Sequence, residues 1–201
     1  MTSNDATGEA ERMTEVHLSA RQIQVLAHPL RIRLLGQLRL GGPATATGLA
    51  EALATNTGAT SYHLRQLADA GLVVEEDRPG SGRQRWWRAL HELSSWQRSD
   101  YADDPAAAAA VDWLEAYQLN LLVQRIEGWR LVAPGEPVEW RDVAGLGDYA
   151  LTMNPAQLGD LQSDLEELVE RHRARAEADP QPDARQVLFF YAGVPDVGEE
   201  R

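Results

Sequence analysis

Apolar residues in the first part of the chain recur at helical spacing, broken by short polar stretches. Leu18 to Ala27 reads as a helix, with Ser19 as its N-cap and Ile23, Leu26 and Ala27 on one face. Pro29 opens a second helix at its first turn, where a missing N–H costs nothing. Leu30, Ile32, Leu34, Leu35, Leu38 and Leu40 are its apolar residues, and "GGP" at Gly41–Pro43 stops it. A short helix over Thr47–Leu53, capped by Thr45 or Thr47, turns Leu49, Ala50 and Leu53 inward. After the turn "ATNT", Asn56 caps a fourth helix that runs to Gly71, a residue suited to the position just past a helix end. The pattern then changes. "LVVEE", Leu72–Glu76, and "RQRWWRAL" read as strands joined by the Pro/Gly-rich turn "DRPGSG".

After Trp96 the character shifts. "RSDYADDPAAAAA" is a linker running into a helix that Pro105 starts. Val111, Leu114, Tyr117 and Leu121 follow at spacings of three and four, and Leu122 and Ile126 extend the stripe, so Ala106–Trp129 is a long amphipathic helix. "APGEP" breaks it. Tyr149–Met153 reads as a short strand, and Asn154-Pro155 as the cap and first residue of a helix bearing Leu158, Leu161, Leu165, Leu168 and Val169. "RQVLFFYAGV" near the end is β-rich. The expected class is mainly α with small β (α+β). The expected organisation is a disordered tail over 1–16, a first domain over 17–95, and a helical C-terminal domain with a few strands over 96–201.

The 201 residues suffice for one generous domain or a small domain plus an accessory one. No apolar run reaches the roughly 18 residues a membrane span needs, and the polar N-terminus lacks the pattern of a secretory signal. With no cysteine, disulfides, thiolate metal sites and cysteine nucleophiles are excluded. These features favour a cytoplasmic protein. All 19 basic residues are Arg, which suits bidentate phosphate and guanine contacts but also follows from GC-rich coding. The net charge of −12 speaks at first against nucleic acid. Its distribution changes the picture: Arg21–His91 holds nine Arg against five acids, about +4, and the remainder ten Arg against 26 acids, about −16.

Chemistry concentrates in the fourth helix. With Leu64 at zero on a wheel of about 100° per residue, Leu67, Thr60, Ala68 and Gly71 form the inner stripe. Tyr62, Gln66 and Asp69 face the opposite way, and His63 and Arg65 sit on opposite borders, Arg65 the more exposed. A polar face near the N-terminal end over an apolar anchor is what a helix entering the major groove requires.

"LAEALATNTGATSYHLRQLADAGLV" resembles the helix-turn-helix of ArsR-type winged-helix transcriptional regulators, with their S-x-H-L-x-x-L-x-x-A-G-L-V core matched by Ser61, His63, Leu64, Leu67, Ala70, Gly71, Leu72 and Val73. "LAHPLRIRLLGQL" resembles the family's preceding helix, "aLahptRlrIL", and "EEDRPGSGRQRWWRA" its wing. The match runs from about Leu18 to Leu90. It departs at Ala54, where the family's turn usually has Gly, at Gly58 in the first helical turn, and at Thr60, which replaces an aliphatic core residue. The family's thiolate sensor cannot exist here, and no His lies in Ala106–Trp129 to form its His/Asp sensor, so no metal or cofactor is expected.

The resemblance implies an N-terminal winged helix-turn-helix domain that binds double-stranded DNA as a homodimer pairing flanking helices, a repressor rather than an activator. The recognition helix covers about 57–70 and the wing about 72–89. Tyr62, Arg65 and Gln66 would read base edges or phosphates, Thr57 and Ser61 would hold phosphate at the helix start, and Arg78, Arg83 and Arg85 would contact backbone or minor groove from the wing. Thr60 and His63 complete the expected DNA-binding set, His63 as a border residue touching phosphate. Trp86 and Trp87, adjacent on a strand, face opposite sides, one of them into the core. The alternative is a protein-interaction module whose winged helix does not bind DNA. An enzyme finds little support: the carboxylates of "DLQSDLEELVER" are spaced as a solvated helix face. The acidic C-terminal half is left with dimerisation, a small-molecule effector, a protein partner or no ligand.

Overall fold

A computed structural model of the chain describes residues 14–77 and 84–198. Two compact units divide it, one running to Leu121 and one from Leu122 onward.

The first unit begins with β1 (Glu15–His17), followed by α1 (Ala20–Leu26) and α2 (Pro29–Gly41). Ser19 caps α1 in a full capping box: its Oγ accepts from the Gln22 N–H at 3.4 Å, and Gln22 Oε1 accepts from the Ser19 N–H at 2.9 Å. His28 caps α2, its Nδ1 accepting from the Leu30 N–H at 3.1 Å, with Pro29 just inside. The strand β2 (Ala44–Thr45) leads into α3 (Ala46–Ala52), which starts one residue earlier than its sequence suggests because Thr45 is the cap. Asn56 caps α4 (Thr57–Asp69), its Oδ1 2.8 Å from the Ala59 N–H. Past α4, Gly71 takes φ 71°, where a Cβ would be strained. In the turn between α3 and α4, Ala54 sits at φ 50°, the position at which the resembled family uses Gly.

β3 (Val73–Glu76) and β4 (Trp86–Ala89) form the expected antiparallel hairpin, with Val73 opposite Ala89 and Glu76 opposite Trp86. β2 adds to the free edge of β4, giving the order β2-β4-β3. β5 (Leu93–Ser95) pairs in parallel with β1. Neither β1, β2 nor β5 was expected; each is only two or three residues long, and its pairing is set by distant chain. After a 3-10 turn at Arg98–Tyr101 comes α5 (Pro105–Val132).

Leu18, Ile23, Leu34, Leu35, Leu38, Leu64, Leu67, Leu72 and Trp87 build one core, and it continues past residue 96 into Tyr101, Ala107, Val111 and Leu114. The Tyr101 hydroxyl donates to the Leu18 carbonyl at 2.5 Å, tying the supposed linker to the start of α1. Arg39 fixes α2 to the segment after β4: its Nε donates to the His91 carbonyl at 2.9 Å and its Nη2 to Ser94 Oγ at 2.7 Å. Burial lowers this guanidinium's pKa to about 10. Trp87 is buried and Trp86 half-buried on the other side of the strand, as alternation requires.

The second unit holds the end of α5, a 3-10 turn at Ala133–Gly135, α6 (Val138–Val143) and α7 (Pro155–Ala178). Asn154 and Gln157 form a capping box on α7. The strands expected at 149–153 and 185–194 are not formed; the described backbone there is neither helix nor strand. Their composition favours strand, but strand pairing needs a neighbouring ladder, and neither stretch has one among the described residues. Arg185 pairs with Glu136 at 2.6 Å and lies 5.1 Å from the Trp140 ring centre.

Candidate nucleic-acid interface

α4 is oriented by three buried anchors: Thr60, Leu64 and Leu67 are fully buried, packing the helix against α2 and α3. Its outer face then presents Tyr62, 53% exposed, with Thr57 and Arg65 exposed and Ser61 and Gln66 half-exposed. Polar groups able to donate and accept therefore line one side of the helix over its first turns.

This face borders an open groove of about 580 Å³, lined by Thr45, Thr47, Ser61, Arg65, Gln84 and Arg85 together with Trp87. The start of α3, the middle of α4 and the base of the hairpin thus converge. Thr45 and Thr47 were read from sequence only as capping residues; helix signals could not show that their side of α3 opens on the same groove. Arg85 is held across the hairpin by Glu75 at 3.0 Å. Arg78 and Arg83, both expected at this surface, lie outside the described residues.

Thr60 corrects the expected set. It is fully buried, and its hydroxyl donates to the Asn56 carbonyl at 3.1 Å, so it belongs to the core side of α4. His63 packs toward α2 instead of into the groove. Its ring lies 4.4 Å from that of His28 at an interplanar angle of 37°, and Tyr62 meets it edge-on at 5.1 Å. Its Nδ1 is buried with no hydrogen-bond partner. Desolvation first, then the neighbouring charges of His28 and Arg31, lower the His63 pKa; desolvation and Arg31 do the same to His28. Both rings are therefore held toward the neutral form.

A family model for a helix-turn-helix domain matches residues 26–76. Over 61 residues the chain is 48% identical to the HTH-type transcriptional regulator NmtR of Mycobacterium tuberculosis (strain ATCC 25618 / H37Rv), a stretch covering 30% of this chain and 49% of that relative. Residues 26–76 are thus a helix-turn-helix domain, and the β3–β4 hairpin closes the unit behind it. This chain spans about half the length of NmtR. A crystal structure of a "possible transcriptional regulator for arsenical resistance" is 31% identical, over 52% of this chain and 95% of that one, with a TM-score of 0.31. The homodimeric winged helix-turn-helix DNA-binding domain of a Mycobacterium bovis protein is 23% identical over 57% and 82%, with a TM-score of 0.32. The matched residues 26–76 run from the end of α1 through α4 to β3. They include every residue of the exposed α4 face. No helix among the described residues is long and apolar enough to cross a membrane.

Proposed function

We propose that this chain is a sequence-specific DNA-binding transcriptional regulator, a repressor acting as a homodimer. The ArsR-type domain contacts DNA, with α4 in the major groove and the hairpin on the flanking backbone or minor groove. The C-terminal half serves dimerisation. The observation that carries the reading is the α4 face: Tyr62, Arg65 and Gln66 point outward beside a groove shared with α3 and the hairpin base. Arg65 suits guanine or phosphate, Gln66 suits adenine, and Ser61 and Thr57 suit phosphate near the helix start. Thr45 and Thr47 join the proposed set as phosphate contacts from α3, and Thr60 leaves it. Arg85, and in the same role Arg78 and Arg83, supply wing contacts.

Two such domains would read half-sites about one helical turn apart in a near-palindrome. Selection of fragments from the source genome with the purified full chain tests this. Enrichment of one near-palindromic site supports the proposal, and no enriched site at low salt overturns it in favour of a protein-interaction module, the reading that the net charge of −12 motivates.

A further inference from the structure

α7 has one long face that is exposed among the described residues. Leu161, Asp164, Leu168, Arg171 and Arg175 follow at spacings of three and four, the repeat of a helix-pairing seam. All five are exposed, Leu161 at 40% and Leu168 at 41%. The flank of the helix next to this seam is covered by the segment that follows it. There Gly193 packs against Leu158, and the Tyr191 hydroxyl donates to Glu166 at 2.9 Å. Leu165 and Val169 are half-buried.

The described residues of the unit around α7 also form no buried core. No described residue after Leu114 is buried, and eighteen large apolar side chains between Val123 and Val197 are exposed. Two of them, Leu161 and Leu168, lie on the seam.

The charges along the seam identify the occupant. Its first half is acidic and its second half basic. Asp164 and Arg171 lie equally far from a point between Glu167 and Leu168, and so do Asp160 and Arg175. Read backwards, the helix complements itself. None of these four side chains is ion-paired among the described residues. We infer that α7 packs antiparallel on the α7 of a second copy of this chain, about a two-fold axis beside Leu168, each Asp164 facing the other copy's Arg171. The inference rests on the homodimer proposed above and adds where and in what direction its C-terminal halves meet. A parallel pair would set acids against acids, and an isologous contact closes after two chains.

The chain has no cysteine, so single introduced cysteines report the seam directly. In the full-length protein under mild oxidation, Leu168→Cys is expected to give a covalent dimer on a non-reducing gel. Ser163→Cys, on the opposite side of the helix, is expected to give at least tenfold less. Adding Asp164→Arg to Leu168→Cys should cut the yield about tenfold, as should Arg171→Asp, and combining both reversals should restore it. Circular dichroism of each variant confirms that the helices are formed. Equal yields from Leu168→Cys and Ser163→Cys, or no recovery in the doubly reversed variant with helix content intact, overturn the seam. A Leu168→Cys protein that stays uncrosslinked overturns it too and gives the face to a different protein. Operator binding by the same variants separates the two proposals. Binding without crosslinking sinks only the seam, and crosslinking without any selected DNA sinks only the DNA reading.

Discussion

Arg65 has no ion-pair or hydrogen-bond partner in the described structure and stands on the groove between α3, α4 and the hairpin. A guanidinium left open on such a face is expected to serve a partner outside the chain. Arg65→Ala should weaken binding to the selected site by about 1–3 kcal/mol and leave nonspecific binding nearly unchanged. Mobility-shift titration checks this, and an unchanged affinity removes Arg65 from the reader set. His63 acts on stability instead. Its ring and that of His28 are packed together beside Arg31 and Tyr62, and both pKa values lie below the usual imidazole value of about 6.5. Between that value and the lowered one, the unfolded chain binds more protons than the folded chain. Stability is therefore full above pH 6.5 and is lost as pH falls through that window. Melting temperatures at pH 7.5 and 5.5 should differ in that direction, and His63→Gln should shrink the difference. Ala54 is a third residue-scale case: at φ 50° it carries the left-handed cost that glycine does not. Ala54→Gly is expected to stabilise the fold by about 1 kcal/mol in denaturant titration.

At the scale of elements, the helices owe their starts to short polar signals that the sequence displays openly. Ser19, Asn56 and Asn154 each cap the helix that follows, through hydrogen bonds formed within three residues. Asn56→Ala should cost about 1 kcal/mol by leaving the Ala59 N–H without its acceptor. It should also loosen the end of α4 nearest the groove, so DNA affinity and thermal stability should fall together. An unchanged melting temperature would show that the cap contributes nothing. Strands are a different matter. The hairpin β3–β4 is legible because both strands are local and joined by a Pro/Gly-rich turn. β1 and β5 find each other across more than seventy intervening residues, and neither segment alone specifies that pairing. The same physics explains the failure at 149–153 and 185–194: β-rich composition is permission to pair, and only a neighbour makes a strand.

For the whole molecule, charge is the organising quantity. The mildly basic first part and the acidic remainder have separate tasks in the proposed regulator, and only the first should respond to phosphate. Raising salt from 50 to 200 mM should lower operator affinity by roughly 10³-fold if the dimer makes about six phosphate contacts. A flat salt dependence would remove the phosphate contacts from the proposal. The sequence by itself determined the helix-turn-helix, the hairpin and the outward face of α4, because caps, turns and a 3.6-residue period are local and Leu64 and Leu67 leave one side of that helix free. Tertiary structure decided the rest. It turned His63 onto His28 and brought Thr45 and Thr47 to the same groove as Arg65. It also carried the N-terminal core through Tyr101 to Leu114. Each of these depends on which distant surface lies opposite a residue, and periodicity along one helix does not contain that.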